Sequence, residues 1–298
     1  MGAPNLCGID LAHRVINGSG TFDAIAALDV FGDAVLRDFP FSAYVSKTIT
    51  PEPRPGNPPP RLWEEARGLV NSIGLPNKGL EGFLETDLPR LQGLPVPLIV
   101  SAMATSPDDF ASIVQALDGA AGISAIELNL SCPNVKSGLV VGESPDETAA
   151  LMKSLRPLTS RPLVVKLSSS IDPGPVAQSA VDAGADALSL VNTLSVSPVS
   201  PNGTGPWLGA GSGGLSGPAI FDLALGQVQE VAGLVEVPII GMGGIGSGPD
   251  ALRMLDAGAT LVAVGTENFR DPTAGTRIAE ELERLLASKT PADLTLRD

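Results

Sequence analysis

Eight short apolar runs recur along the chain, each carrying a small or polar residue at or near its end and most followed by helical markings. They cover residues 15–20, 43–48, 97–101, 125–130, 163–167, 187–193, 238–244 and 261–266. In the fourth, Ile126, Leu128 and Leu130 alternate with Glu127, Asn129 and Ser131, so the two sets face opposite sides of a strand. Pro133 offers no N–H to a ladder and biases Cys132 toward extended geometry, which ends that strand with a thiol between two carboxamides. Between the runs, Ser106-Pro107, Ser144-Pro145 and Ser247-Gly248-Pro249 read as helix caps followed by proline in the first turn. Asp182-Ala183-Gly184-Ala185 and Asp256-Ala257-Gly258-Ala259 read as helix ends whose glycine turns left-handed into the next strand.

Such alternation predicts parallel strands joined by right-handed crossovers. Eight units match an α/β fold of the (β/α)8 (TIM) barrel type with its active site at the C-terminal face, and a doubly wound sheet is the competing arrangement. Polar placement favours the barrel. Ser19, Lys47, Ser101, Asn129, Lys166, Asn192, Gly243 and Thr266 all lie at or just past strand ends. A barrel would gather them around one pocket. Two lysines ending apolar strands need an anionic or polar partner there. The expected organisation is one barrel domain over residues 1–298, with a proline-rich insertion (51–77) and a glycine-rich one (194–217). Residues 51–60 hold six prolines, and residues 203–217 hold seven glycines. Both read as loops, and loops of that length in a compact domain are commonly functional or mobile.

Composition excludes several chemistries. A net charge of −14 without basic runs argues against nucleic-acid binding. Two cysteines, Cys7 and Cys132, make neither a disulfide framework nor a metal cluster, and His13 is the only histidine, so no metal site is expected. Cys7 reads as structural and partnerless. No membrane span and no signal peptide are evident, which points to a reducing, cytoplasmic setting. Late glycines, Gly213-Gly214 with Gly217, Gly243-Gly244, and Gly265-Thr266, fall where barrels bind phosphate through bare N–H groups.

Together, Asn71-Ser72-Ile73-Gly74-Leu75-Pro76-Asn77, Asn129-Leu130-Ser131-Cys132-Pro133-Asn134, the proline stretch from Lys47 to Arg61, Gly213-Gly214-Leu215-Ser216-Gly217-Pro218 and Gly241-Met242-Gly243-Gly244-Ile245 resemble class 1 dihydroorotate dehydrogenases. The resemblance runs from about Asn17 to Leu286 and is closer to class 1B. It implies an FMN barrel that oxidises dihydroorotate to orotate in pyrimidine synthesis. Cys132 would be the base at C5, with hydride passing from C6 to flavin N5. Asn71, Asn129, Asn134, Asn192 and Thr193, with backbone of Ile73, Gly74 and Leu75, would hold the pyrimidine. Lys166 would sit by the N1/C2 edge of the flavin and Lys47 near flavin and substrate. Gly18, Ser19, Thr48, Ser101, Asn129 and Val191 would contact the ring or ribityl chain. Gly217, Gly243, Gly244, Gly265 and Thr266 would hold the phosphate end, and 132–142 would be a mobile loop over the substrate. A homodimer, joined to a subunit carrying FAD and a 2Fe–2S cluster as a heterotetramer, would pass electrons to NAD+.

Departures from the family pattern are Ser169-Ser170 in place of a Pro-Asn pair, Phe221 where a basic residue is common, and a rewritten 194–211 segment. The rival readings are another FMN-dependent dihydropyrimidine oxidoreductase, of which one family usually has His at the place of Asn134, and a tRNA dihydrouridine synthase, disfavoured by acidity. A flavin-free phosphate-binding barrel, isomerase or lyase, using Lys166 is a third, and a non-catalytic binding barrel a fourth.

Overall fold

A computed structural model describes residues 3–130, 141–169, 172–200, 203 and 205–288. Eight parallel strands form its centre: β1 (Val15–Asn17), β2 (Tyr44–Val45), β3 (Leu98–Ala102), β4 (Ala125–Asn129), β5 (Leu163–Lys166), β6 (Ala187–Leu190), β7 (Ile239–Met242) and β8 (Leu261–Val264). They follow one another around the sheet in sequence order, with β8 returning to β1, so the architecture is the (β/α)8 barrel. No ladder joins β1 to β2. The seam is held instead by Asn17, whose Oδ1 accepts from Val45 N–H and whose Nδ2 donates to Val45 C=O, each at 2.8 Å. A side-chain amide thus stands in for a peptide group, and Ser42 N–H adds a bond to Val15 C=O at 3.0 Å.

Strand alternation sorts the apolar residues into two cores. Ile126, Leu128, Val165, Leu188 and Val262 face the surrounding helices. Ile16, Val45, Ile99, Val164, Ile240 and Leu261 fill the barrel, with Leu6 and Leu11 of the N-terminal segment in the same cluster. Each such side chain contributes about 1.5–3 kcal/mol by leaving water. The caps read from sequence form: Ser106, Ser144 and Ser247 accept from the N–H groups of Asp109, Glu147 and Asp250. At the other helix ends, Ala185 N–H reaches back to Ala180 C=O and Ala259 N–H to Met254 C=O, with Gly184 and Gly258 at positive φ.

The two insertions depart from the expectation of separate loops. Leu62–Glu65, Gly68–Asn71, Gly213–Ser216 and Leu194–Val196 pair into a four-stranded antiparallel sheet in which Gly213–Ser216 lies beside Gly68–Asn71. The segments lock further where Gly209 N–H donates to Pro60 C=O at 2.9 Å and where Trp63 meets Trp207, ring centroids 4.8 Å apart. Glycine-rich strands have little propensity of their own, so this pairing is supplied by the partner strand. Cys7 is a free thiol, as expected, and it donates a hydrogen bond to Asp186 C=O at 3.2 Å.

Candidate active site

Lys47 is brought to the barrel mouth by an extra residue. Val45 stands opposite Ile99, and Ile49 opposite Ala102, so four steps along β2 and its extension match three along β3. The bulge at Ser46–Thr48 re-aims the chain. Ser46 Oγ accepts the Ser101 N–H at 3.1 Å. Gly20, at φ +71°, leaves room for the side chain of Lys47: a Cβ there would stand 2.8 Å from both Cδ and Nζ. Beside it runs a hydroxyl chain. Ser19 Oγ donates to Ser46 C=O at 2.8 Å, so the Ser19–Thr48 contact at 3.1 Å takes its proton from Thr48, and the Thr48–Ser101 contact at 3.0 Å takes its proton from Ser101. The three hydroxyls therefore offer a ligand mainly acceptor lone pairs.

Across the mouth, β4 and β5 set Asn129 beside Lys166, both nearly buried. Among the described residues neither Lys47 nor Lys166 has a carboxylate within ion-pair distance. Burial pushes the Lys47 amine below its ordinary value, and the charge of Lys166 pushes it further the same way. Two like charges, Lys166 buried and Lys47 half-buried, with no carboxylate in ion-pair contact, form a site for an anion or an electron-rich ring.

The insertion sheet delivers the polar groups expected to meet a substrate. Asn71 Nδ2 donates to Gly214 C=O at 3.3 Å. Thr193 packs so closely on Gly214 that a side chain there would overlap its hydroxyl. Asn192 Oδ1 accepts from Thr193 N–H at 2.9 Å. In the 73–75 turn the C=O groups of Ile73 and Leu75 are taken by Asn57 N–H and Asn77 Nδ2, while the N–H groups of Ile73, Gly74 and Leu75 have no acceptor among the described residues. Asn77 is the residue sequence reasoning passed over. Its Oδ1 accepts from the N–H groups of Thr50 and Gly79, which pins this turn to the end of β2. The quoted motif contained Asn77, but only tertiary contacts reveal its use.

Cys132 and Asn134, and most of the 132–142 segment, lie outside the described residues. Where the chain returns, Gly142 N–H donates to Leu130 C=O at 2.9 Å, tying the two ends of the segment together at the top of β4.

At the far side of the mouth the expected phosphate residues converge. Thr266 Oγ1 donates to Ser216 Oγ at 2.8 Å. Gly217, Gly243 and Gly244 all take positive φ. A Cβ on Gly244 would lie 2.7 Å from Phe221 Cβ and 2.8 Å from Gly217 C=O, so only glycine fits. The N–H groups of Gly244, Gly265 and Thr266 have no backbone acceptor among the described residues, which suits a phosphate. Gly18 donates its N–H to Val264 C=O at 2.8 Å and so joins β1 to this end, and Val191 N–H bonds Met242 C=O at 3.0 Å.

The dihydroorotate dehydrogenase family model matches residues 1–286. The chain belongs to the dihydroorotate dehydrogenase family. It is 42% identical over 295 residues, 97% of this chain and 94% of the relative, to the protein of Desulforudis audaxviator named dihydroorotate dehydrogenase B (NAD(+)), catalytic subunit. A protein of the same name from Geobacter sp. strain M21 is 41% identical, covering 95% and 92%. A putative dihydroorotate dehydrogenase A (fumarate) of Solibacter usitatus is also 41% identical, covering 95% and 93%. Within this family member the departures have local roles. Ser169 Oγ donates to Thr193 C=O at 3.2 Å. Phe221 lies under the glycine cradle with the Arg253 guanidinium 4.7 Å over its ring, so a cation remains near that position. No helix among the described residues is long and apolar enough to cross a membrane.

Proposed function

We propose that the chain is the FMN-binding catalytic subunit of an NAD+-linked dihydroorotate dehydrogenase, oxidising dihydroorotate to orotate in pyrimidine synthesis. The observation that carries this reading is the shared mouth of Lys47, Lys166 and the Gly217–Gly244–Thr266 cradle. Two cations without acids stand at one side of it and free N–H groups at the other. FMN fits that arrangement, phosphate in the cradle and ring beside the lysines. When bound, it supplies the acceptor for the hydride leaving C6 of dihydroorotate.

The chain's own residues do the rest. Cys132, two positions after Leu130, takes the proton from C5. Because the thiolate is the base, that step should quicken as pH rises into the mildly alkaline range. Asn71, Asn129, Asn134, Asn192 and Thr193 pair with the alternating donors and acceptors of the pyrimidine, and the N–H groups of Ile73, Gly74 and Leu75 take its carboxylate. Lys166, with Lys47, keeps positive charge beside the ring where negative charge accumulates. Ser19, Thr48 and Ser101 form an accepting floor, and Gly18, Val191, Gly243 and Gly265 bound the ribityl path. Residues 132–142 close over the substrate and exclude water.

The names of the NAD+-linked relatives, and the two cysteines of this chain, support a separate electron-transfer subunit carrying FAD and a 2Fe–2S cluster. A homodimer of this subunit, assembled as a cytoplasmic heterotetramer, completes the reading, with residues 1–298 as one barrel domain. The Solibacter usitatus relative supports a second acceptor, fumarate.

The test is anaerobic mixing of FMN-loaded protein with dihydroorotate while the visible flavin band is followed. Rapid bleaching, slowed by orders of magnitude in Cys132→Ala, is expected. A yellow protein that dihydroorotate leaves unbleached would refute the substrate. Reoxidation of bleached protein by fumarate alone would transfer the acceptor assignment to the second reading.

A further inference from the structure

Only two residues of the eight barrel strands carry charge, Glu127 on β4 and Lys166 on β5. Both are buried, at 2% and 7% exposure. In the ladders Lys166 lies between Asn129 and Ser189, whereas Glu127 lies one inward position lower, beside Val164. Glu127 Oε2 accepts from Ser189 Oγ at 3.0 Å, so the carboxyl reaches across β5 beneath the root of Lys166. Its other oxygen, Oε1, is buried and has no hydrogen-bond partner among the described residues. Glu127 and Lys166 do not come within the 4.0 Å of an ion pair.

One hydroxyl does not compensate a buried carboxylate. One inward position above it on the adjoining strand is Lys166, which with Lys47 has no carboxylate within ion-pair distance among the described residues. Charges in such a water-poor interior act on one another beyond contact distance, with little screening by salt. With Glu127 ionised, the local sum over Lys47, Lys166 and Glu127 is one positive charge rather than two. For a ring that must be reduced and then give its electrons away, the difference matters. Two uncompensated cations would stabilise the reduced ring more than one does and so make it a weaker donor.

We propose that Glu127 is a positioning residue that sets the reduction potential of the flavin, offsetting one lysine charge so that the reduced ring remains a competent donor. The inference rests on the reading of the site as an FMN site. Glu127 touches neither substrate nor ring in this account; it acts through the field at the lysines.

Glu127→Gln keeps the size and the acceptor for Ser189 while removing the charge. The measurement is the equilibrium between bound FMN and a reference dye during slow anaerobic reduction. The reduced flavin of Glu127→Gln is expected to be favoured about tenfold over wild type, about 30 mV for a two-electron couple. Ser189→Ala, which keeps the charge, should stay within twofold. Equal equilibria in Glu127→Gln and wild type, or equal shifts in both variants, overturn the proposal, because a purely structural role moves stability and not potential. Should Glu127→Gln fail to fold, the same swap in a Lys166→Gln background leaves no opposite charge stranded in the strands. The expected tenfold change relative to Lys166→Gln is unaltered, and its absence is equally fatal. Wild-type protein that takes up no FMN sinks the functional reading first and this inference with it. Protein that binds FMN but shows no shift sinks this inference alone.

Discussion

The two ends of the barrel mouth recognise a ligand by different physics. The end at β7 and β8 is made of backbone: Gly217, Gly243 and Gly244 in conformations that expose N–H groups, with Phe221 and Ala224 packed where side chains would go. The end at β2 to β5 is made of side chains: Lys47, Asn129 and Lys166, with the hydroxyls of Ser19, Thr48 and Ser101. Backbone recognition depends on an absence of atoms and fails by collision. Side-chain recognition depends on charge and fails by loss of field. Substitutions at the first end should therefore cost affinity, and at the second, rate.

Lys166→Met gives the largest expected effect. Flavin reduction by dihydroorotate should slow by roughly 10²–10³, the range for removing one charge-stabilising group, while FMN is retained; stopped-flow bleaching reads the first and filtration the second. Loss of FMN with an unchanged rate in the remaining holoprotein would break the division. Gly244→Ala should do the reverse. Overpacking of about 1–3 kcal/mol predicts FMN affinity down by roughly tenfold to a hundredfold, with near-normal bleaching once saturated. Fluorescence titration of released FMN measures it.

A pH series sharpens the contrast further. Because the Lys47 amine is held below 10.5 by burial and by Lys166, the folded apoprotein sheds that proton earlier than the unfolded chain. Over the window from the lowered value up to 10.5, the unfolded state binds more protons, so apoprotein stability should rise with pH. Flavin reduction by dihydroorotate should slow over the same window as the cation is lost, with FMN retained. Lys47→Met should flatten both curves, read as Tm of the apoprotein and as bleaching rate of the holoprotein; an unchanged alkaline limb would separate Lys47 from the charged end. A last contrast lies between the two thiols. Burial, and then Asp186, pushes Cys7 up to about 11. Iodoacetamide at mildly alkaline pH should label Cys132 on the order of a hundredfold faster than Cys7, as peptide mass analysis would report.

The barrel was legible because its code is local. A period of two along each run, a serine cap before proline, and glycine at a helix end each act within a few residues, and each was found where sequence put it. Strand-end polar residues were legible for the same reason. The insertion sheet was not, since Gly214 meets Asn71 from far along the chain and neither segment has strong strand propensity. Nor was the bulge that turns Lys47 into the mouth, because it is a mismatch between two strands and not a property of either. Asn17 carried no sign of a role, and Glu127 read as one more alternating polar residue. What they do became visible only across the barrel.

The Asn17 clasp has a consequence for how the molecule breathes. Seven of the strand junctions are ladders that repeat their bonds, and the eighth depends on one carboxamide and the Ser42 contact. Amide hydrogens of Val45 and Ser42 should accordingly exchange with solvent before those of β4 or β5, marking a line along which the cylinder unzips. A ligand that spans β8, β1 and β2 at the mouth would staple that line shut. Slowed exchange there on loading would make the cofactor a structural fastener as well as a reagent.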